Sequence, residues 1–525
     1  MTLQLENIPA DLRSAIEREL QKLKGLEAEA EKVGRLELEN KLLREELRLL
    51  RMEKYGKGSE QLTDAQLELL EAEPGVRPAE VQAEAALSEE EKQSVEAQRK
   101  PKRNHPGREE LPAHLPRVEV IVGWEPQACR CGQCGGEKKL IGYEVSEELG
   151  LKPAQYFVRV IKREKRACAA CEEMGVVTAA LPAKIIEKGK ASNELAVDVL
   201  IKKYCDHVPL YRQSVGIERE SGVELSRMTL CGWVMKSGDL LTAISRAMRT
   251  ELLTGNYIQA DETPVGVQSE RTVGKNHQGY LWEYSRPGGP VVFDFQMGRS
   301  REGPRKFLAN FDGNLQCDGF GAYDKIGGKG IRMAGCWAHA RRGFYKAMEV
   351  SQNKDVTAFD IVRRIGELYQ IEAEARTAKL DAAARLEMRR SRSVPLLEAL
   401  KTVIINARQG CLPQSQLGKA CAYALSQWER LMVYASHGEI EIDNNWCENA
   451  IRPVALGRKN WLHIGSEEAG PRVAAIASVM ETCRRLSINA RDYLLDVLPR
   501  LADWPASKVS ELTPAAWLAS RRSNA

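Results

Sequence analysis

At 525 residues the chain is too long for one domain and long enough to bury a core in each of several. Its formal net charge is only +4, so bulk charge alone does not announce nucleic acid, and the placement of the cations matters more. No signal-peptide pattern opens the sequence and no apolar run approaches the ~20 residues of a membrane span, so a membrane partner is not expected. The thirteen cysteines, odd in number and mostly single among apolar neighbours, suit a reducing cytoplasm better than a disulfide framework. Basic clusters at Arg99-Lys100-Pro101-Lys102-Arg103, at residues 162–166 and at Arg341-Arg342 are either solvated faces or contacts for a polyanion.

Residues 1–56 read as a leucine-zipper-like coiled coil. Val33, Asn40 and Leu47 recur with heptad spacing, as do Leu36, Leu43 and Leu50, so that a and d positions stand among Glu, Lys and Arg. Leu26 extends the a series before Glu29 breaks d. An Asn at an a position gives up stability and fixes register in a parallel dimer. The other reading of the same periodicity is an amphipathic helix packed on its own chain. Residues 57–115 hold few large apolar side chains, which predicts a partly disordered linker. Its charge reverses from Ser88-Glu89-Glu90-Glu91 to the basic 99–103 cluster.

Residues 116–186 carry two Cys-x-x-Cys knuckles, Cys131 with Cys134 and Cys168 with Cys171. Four thiolates paired in this way suit one tetrahedral structural Zn²⁺, and Gly132, Gly135 and Gly136 permit the tight turn of the first knuckle. A redox dithiol or reduced core cysteines are the alternatives, and Cys129 is a spare. The long interval between the knuckles predicts a returning antiparallel hairpin, with residues 156–161 as a strand-like run.

From 187 to 250 the pattern predicts three short helices: Asn193–Tyr204, one from Pro209 and one from Ser226. Ser226 or Thr229 would cap the third, leaving Arg227 in an exposed first turn. That is the placement of a helix-turn-helix recognition helix, and equally of a plain helical connector.

After residue 250 the expected order is three strands (257–260, 280–284 and 291–295), a helix, a strand (315–317), a short helix, a strand (331–336) and a helix. Three strands followed by alternating helix and strand is the order of a ribonuclease-H-like sheet, in which the first and fourth strands lie side by side. Asp261 and Asp318 end two of the apolar runs, and Glu448 stands near the start of a short helix that Pro453 is expected to end. Each has a local explanation. Asp261 opens a turn before Thr263-Pro264, Asp318-Gly319 is a turn dipeptide, and Glu448 completes a capping box with Asn445. A fold that gathered them would instead offer hard oxygen ligands to two divalent cations against a phosphodiester. Arg452, one turn after Glu448, and Arg458-Lys459-Asn460-Trp461 offer phosphate contacts and a stacking ring. Residues 349–430, rich in Ala, Leu, Arg and Glu, predict a helical insertion, and a tail helix is expected at Ala490–Leu501.

Several segments together resemble the transposases of the insertion-sequence-66 family: 206–213, 260–265, 315–323, 336–342, 443–453 and 457–462, besides the zipper-like start and the knuckles. Cys317 stands where Thr is usual, and His463-Ile464 where an aromatic-rich pair is common. The resemblance implies a multidomain α+β protein with an N-terminal coiled coil, a zinc-ribbon-like module and a helix-turn-helix-like module. A ribonuclease-H-like DDE core would span 251–485 and a family tail 486–525. It implies catalytic Asp261, Asp318 and Glu448 with two Mg²⁺ (or Mn²⁺), and places His339 of Cys336-Trp337-Ala338-His339 near them. Expected DNA contacts are Arg227, Arg341, Arg342, Arg452, Arg458, Lys459 and Asn460. The implied function is binding of element ends, DNA cleavage and joining of the 3′-hydroxyl to target DNA. Partners would be double-stranded DNA, a second copy of the chain and small accessory proteins of the same element, in a bacterial cytoplasm at the nucleoid. A non-cleaving DNA-binding regulator and a nuclease without strand transfer are the competing functions.

Overall fold

The computed structural model of the chain describes residues 22, 30, 32–34, 36–49, 155–167, 176–187, 189, 191–269, 275–324, 326–328, 330–351 and 355–523. Leu26, Glu29, Leu50, the 57–115 segment, Cys129 and the four knuckle cysteines Cys131, Cys134, Cys168 and Cys171 lie outside these residues. The chain divides into two compact units, residues 88–164 and the remainder.

In the smaller unit, residues 155–164 are described. The strand expected at 156–161 does not form: the segment is irregular, with Phe157, Val158 and Val160 exposed. An apolar, β-branched run holds a strand only where it finds a surface to pack on. In the larger unit a short hairpin forms further along. Strand β1 (Lys165–Ala167) pairs antiparallel with β2 (Val176–Thr178), on either side of the second knuckle in the sequence, and residues 135–154 of the interval between the knuckles lie outside the described residues.

Helix α1 is described over residues 32–34 and 36–49. Leu42, Glu45 and Leu49, spaced on one face, are half-buried, and the helix touches its own chain through polar groups. Arg48 donates to the Val350 carbonyl at 3.2 Å, and Glu45 accepts from the Gln416 amide at 3.3 Å. The heptad stripe of Val33, Leu36, Leu43 and Leu47 is exposed.

Three helices follow: α2 (Asn193–Tyr204), α3 (Leu210–Ser221) and α4 (Arg227–Leu253). Their starts are capped as the side chains dictate, with Ser192 accepting from the Leu195 amide and Ser226 from the Thr229 amide. The third is not short. It runs 27 residues because its inner face is mostly apolar, burying Leu230, Trp233, Leu241, Ile244, Met248 and Leu252 along with Ser237 and Ser245.

The central sheet contains β3 (Tyr257–Val267), β4 (His277–Ser285), β5 (Val291–Gln296), β6 (Asn314–Gln316) and β7 (Arg332–Ala334), in the order β5-β4-β3-β6-β7. The first three are antiparallel, whereas β6 runs parallel to β3 and β7 parallel to β6. Helix α5 (Glu302–Leu308) precedes β6. The first and fourth strands of the core therefore adjoin, as their order in the sequence predicted. Along its outer edge β3 pairs with β6 over Tyr257–Gln259 and with a late strand, β8 (His463–Ile464), over Gly266–Val267. Between these pairings lie residues 260–265. Pro264 falls there, where a missing N–H costs no ladder bond on that side.

After β7, α6 (Trp337–Val350) leads into the expected helical insertion: α7 (Val356–Thr377), α8 (Ala382–Met388), α9 (Val394–Gly410), α10 (Gln416–Ser426) and α11 (Trp428–Met432). Trp337, Phe344, Ile361, Leu397, Leu400 and Trp428 form its core. The chain returns through α12 (Asn445–Trp461) and α13 (Ala469–Arg485), which pack on the sheet, and ends with α14 (Ala490–Leu501) and α15 (Pro514–Ser523). Among the described residues no helix is long and apolar enough to cross a membrane.

Candidate active site

The last paired residues of the parallel strands β3 and β6 are Gln259 and Gln316. Asp261 and Asp318 each follow two residues later, so strand register alone brings the two carboxylates level. Asp261 does not open a turn. It lies in mid-strand opposite Glu283, because β3 stays paired to β4 as far as Val267. Asp318 does occupy a turn, its Oδ1 accepting from the Phe320 amide at 2.8 Å. Gly319 has φ +89°, a conformation that costs a glycine nothing. The insertion holds this turn in place, with the Tyr423 hydroxyl donating to the Asp318 carbonyl at 2.8 Å.

Glu448 lies in the first turn of α12, which is 17 residues long and continues past Pro453. A proline there frees the carbonyl four residues back, that of Asn449, and Arg484 Nη2 approaches this oxygen at 3.5 Å. The helix starts at Asn445 itself, so a capping box from that residue does not apply. Glu448 instead faces α6, with Oε1 3.5 Å from His339 Nδ1 and Oε2 3.5 Å from Arg342 Nη2.

The charge balance of this cluster is unfavourable as it stands. Burial pushes the Asp261 carboxyl well above the usual range, and the charges of Glu448, Glu262 and Asp318 add to it against one hydrogen bond from the Glu262 amide. Burial also lowers His339, although the neighbouring Glu448 works against it, so the imidazole is neutral near pH 7. His339 Nδ1 and Glu448 Oε1 are both buried without a hydrogen bond among the described residues. An orphaned carboxylate oxygen and a carboxyl destabilised by like charges fit a site that takes hard divalent cations. Glu262 is already used: Arg299 Nε and the Tyr323 hydroxyl both donate to it at 2.8 Å.

Beneath the carboxylates runs a buried polar ladder that sequence reading missed. Gln259 Nε2 donates to Gln316 Oε1 at 3.0 Å and to the Asp443 carbonyl at 2.8 Å, and Gln259 Oε1 accepts from the Cys447 amide at 3.1 Å. Gln316 Nε2 reaches the carbonyls of Gly335 and Glu441, each at 2.9 Å. The amide pair thus ties the two aspartate-bearing strands to the segment that delivers Glu448. Its signal was available: a glutamine stands two residues before each aspartate, inside runs otherwise apolar. Asp443 belongs to the same layer, accepting from the Tyr369 hydroxyl at 2.7 Å.

The remaining predicted residues are placed as follows. Arg342 is exposed beside Glu448, and Arg341 is half-buried near the Tyr369 ring, 5.8 Å from its centroid. Arg452 is half-buried one turn beyond Glu448 on α12. Arg458 bonds Thr263 Oγ1 at 2.7 Å and also the Pro264 carbonyl, so it ties α12 to β3. Lys459 and Asn460 are exposed at the end of that helix. Trp461 is half-buried against the sheet core, with Lys203 Nζ 5.7 Å from its ring centre. Arg227 is exposed in the first turn of α4, well along the chain from the carboxylates.

Four family descriptions match the chain in order. "Transposase C of IS166 homeodomain" covers residues 42–120, and "zinc-finger binding domain of transposase IS66" covers 128–172. "Transposase IS66 family" covers 188–472 and "IS66 C-terminal element" covers 478–515. Similar chains occur in Sinorhizobium fredii. "Uncharacterized protein y4qI" is 35% identical over 79% of this chain and 78% of its own length. "Uncharacterized protein y4hP" is 30% identical over 92% of this chain and 88% of its own. The longest family match spans both the α2–α4 helices and the sheet that gathers the carboxylates. The chain is therefore a member of the insertion-sequence-66 family of transposases, a DNA-binding enzyme of the DDE class that carries that family's zinc-binding domain.

Proposed function

We propose that the protein binds the terminal repeats of an insertion element, cleaves the DNA at a two-metal site of Asp261, Asp318 and Glu448, and joins the freed 3′-hydroxyl to target DNA. The observation that carries this reading is the state of Asp261, a carboxyl pushed up by burial and by three neighbouring carboxylates. Hard oxygen donors of this kind suit Mg²⁺ or Mn²⁺. When bound, such ions activate the attacking oxygen and offset the charge that grows on the departing one. The chain's own residues orient the reaction. Register and the glutamine ladder hold the carboxylates in place, and Asp261, Asp318 and Glu448 would hold the cations. Arg342 and Arg452 hold phosphate oxygens, and His339, neutral at pH 7, orients Glu448.

The strand order supports a ribonuclease-H-like core. The exposed Arg227 and Met228 at the start of α4 support a helix-turn-helix-like contact with element ends, and Lys459 and Asn460 a contact with the DNA backbone. The exposed heptad stripe of α1 supports a parallel dimer that pairs two ends, with Asn40 setting register. Cys131, Cys134, Cys168 and Cys171 are assigned a structural Zn²⁺. Target DNA and the element's accessory proteins complete the assembly, which acts at the nucleoid.

The test incubates the purified protein with labelled element-end DNA and Mg²⁺ or Mn²⁺. Cleaved ends and strand-transfer products are both expected, and both are lost in Asp261→Asn. Cleavage without joining would make the protein a nuclease. Binding with no cleavage in wild type, metal and accessory proteins supplied, would make it a regulator.

A further inference from the structure

Glu448 has a second set of neighbours, chemically unlike the aspartates. Cys336 precedes α6 as its cap residue, and His339 stands in the first turn of that helix, as Glu448 does in the first turn of α12. The two helix starts are tied to each other. The Trp337 amide donates to the Ile442 carbonyl at 3.2 Å, and the Asn444 amide donates to Cys336 Sγ at 3.5 Å. One sulfur, one nitrogen and one oxygen ligand atom thereby lie within 4.8 Å of one another. His339 Nδ1 and Glu448 Oε1 are 3.5 Å apart, both buried and without a hydrogen bond among the described residues.

We propose that Cys336, His339 and Glu448 form a site for a thiophilic divalent cation of the Zn²⁺ class, and that its occupation withdraws Glu448 from Asp261 and Asp318. The second half rests on the catalytic role given to Glu448 above, whereas the first stands on the three ligands alone. Zinc bond lengths of about 2.0–2.3 Å give tetrahedral edges of roughly 3.3–3.6 Å. The nitrogen–oxygen edge already has that length, and the sulfur must approach by on the order of 1 Å. Burial pushes the Cys336 thiol well up, and the two helix N-termini and the amide N–H directed at its sulfur work against that, so the ion itself must draw off the proton. Binding replaces the Cys336 S–H bond with a metal–sulfur bond and releases the proton to solvent. Three protein ligands leave a fourth position open, and a soft ion gains from the thiolate what Mg²⁺ cannot.

The experiment loads full-length protein with Zn²⁺ at its knuckles, removes excess metal and titrates with Co²⁺, followed by absorption spectroscopy. Wild type should take up one further Co²⁺ that carries a thiolate-to-metal band, apart from any held by the carboxylates without one. Cys336→Ser should lose that band, and His339→Gln should bind more than about tenfold more weakly. Circular dichroism checks both variants, and His339→Gln decides the matter where Cys336→Ser does not fold. An equal band in wild type and variant, or no further Co²⁺ in wild type, overturns the site. For the second half, saturating Zn²⁺ should raise free Mn²⁺ measured by electron paramagnetic resonance. Unchanged Mn²⁺ binding in wild type removes the competition. These readouts stand apart from DNA cleavage, so a protein that shows the band yet never cuts keeps this site and loses the transposition mechanism.

Discussion

The helical insertion and the edge of β3 both enclose carboxylates, and they treat them in opposite ways. In the insertion, Glu372 would be lifted by burial, yet Arg389 and Arg385 bond its oxygens and hold it below the ordinary range. Arg385 also reaches Glu441 at 2.7 Å, so charges of both signs close into one network. On β3, Asp261 has burial and three like charges against it, with one amide in support. The first cluster is balanced within the chain, whereas at the second no opposite charge offsets Asp261, as a site proposed to bind cations requires. On the proposed function, buried charge without compensation belongs to the site, and buried charge with its compensation to the architecture.

Substitutions break this contrast in opposite senses. Asp261→Asn is expected to reduce cleavage at least about a thousandfold, some 4 kcal/mol or more in the barrier. The same change should raise unfolding stability by on the order of 1 kcal/mol, because it relieves repulsion. A strand-cleavage assay and a urea melt read the two, and a loss of stability would remove the contrast. Arg389→Met should do the reverse, costing about 3–5 kcal/mol by stranding Glu372, with much of it regained when Glu372 is also made apolar. Denaturant midpoints of the single and double variants test this.

Asp443 lies where the two regions meet, and its pH response sharpens the comparison. Burial, with help from Glu441 and Glu448, lifts its carboxyl from 3.8 to about 6. A group whose folded value is raised stabilises the fold fully below its unfolded value and loses that contribution as pH climbs through the folded one. Between pH 4 and 7 wild type should therefore lose up to about 3 kcal/mol relative to Asp443→Asn, measured as the difference between two melting series. A flat difference would mean that Asp443 is compensated as Glu372 is. The smallest effect is expected at the ladder. Gln259→Leu strands the Asp443 carbonyl and the Cys447 amide, costing about 1–3 kcal/mol. It should also weaken Mn²⁺ binding by loosening the segment that carries Glu448, which calorimetry can follow.

Much of this architecture was legible because local rules carried it. Capping residues and apolar spacing set Asn193–Tyr204 and Ala490–Leu501 to the residue, and strand order predicted that β3 and β6 would adjoin. Where reading failed, distant contacts had overridden a local signal. Pro453 looks like a helix end until Arg484 approaches the carbonyl that it frees. Asp261 followed by Thr263-Pro264 looks like a turn until β4 and β8 keep the strand extended. The run at 156–161 is apolar and β-branched like a strand but has no buried face. The glutamine ladder stayed invisible for a related reason. A polar residue in an apolar run has meaning only once its partners are known, and these come from far along the chain.

That distance has a consequence in time. Gln259 and the carbonyl it binds at Asp443 are 184 residues apart, and the whole insertion lies between them. A ribosome adding about 5–20 residues per second needs roughly 10–40 s to bridge the interval. Throughout it the nascent chain already holds β3 and the α2–α4 helices but lacks Glu448. The polypeptide is thus born without its third carboxylate, and stays so until the insertion has been made and the ladder has closed.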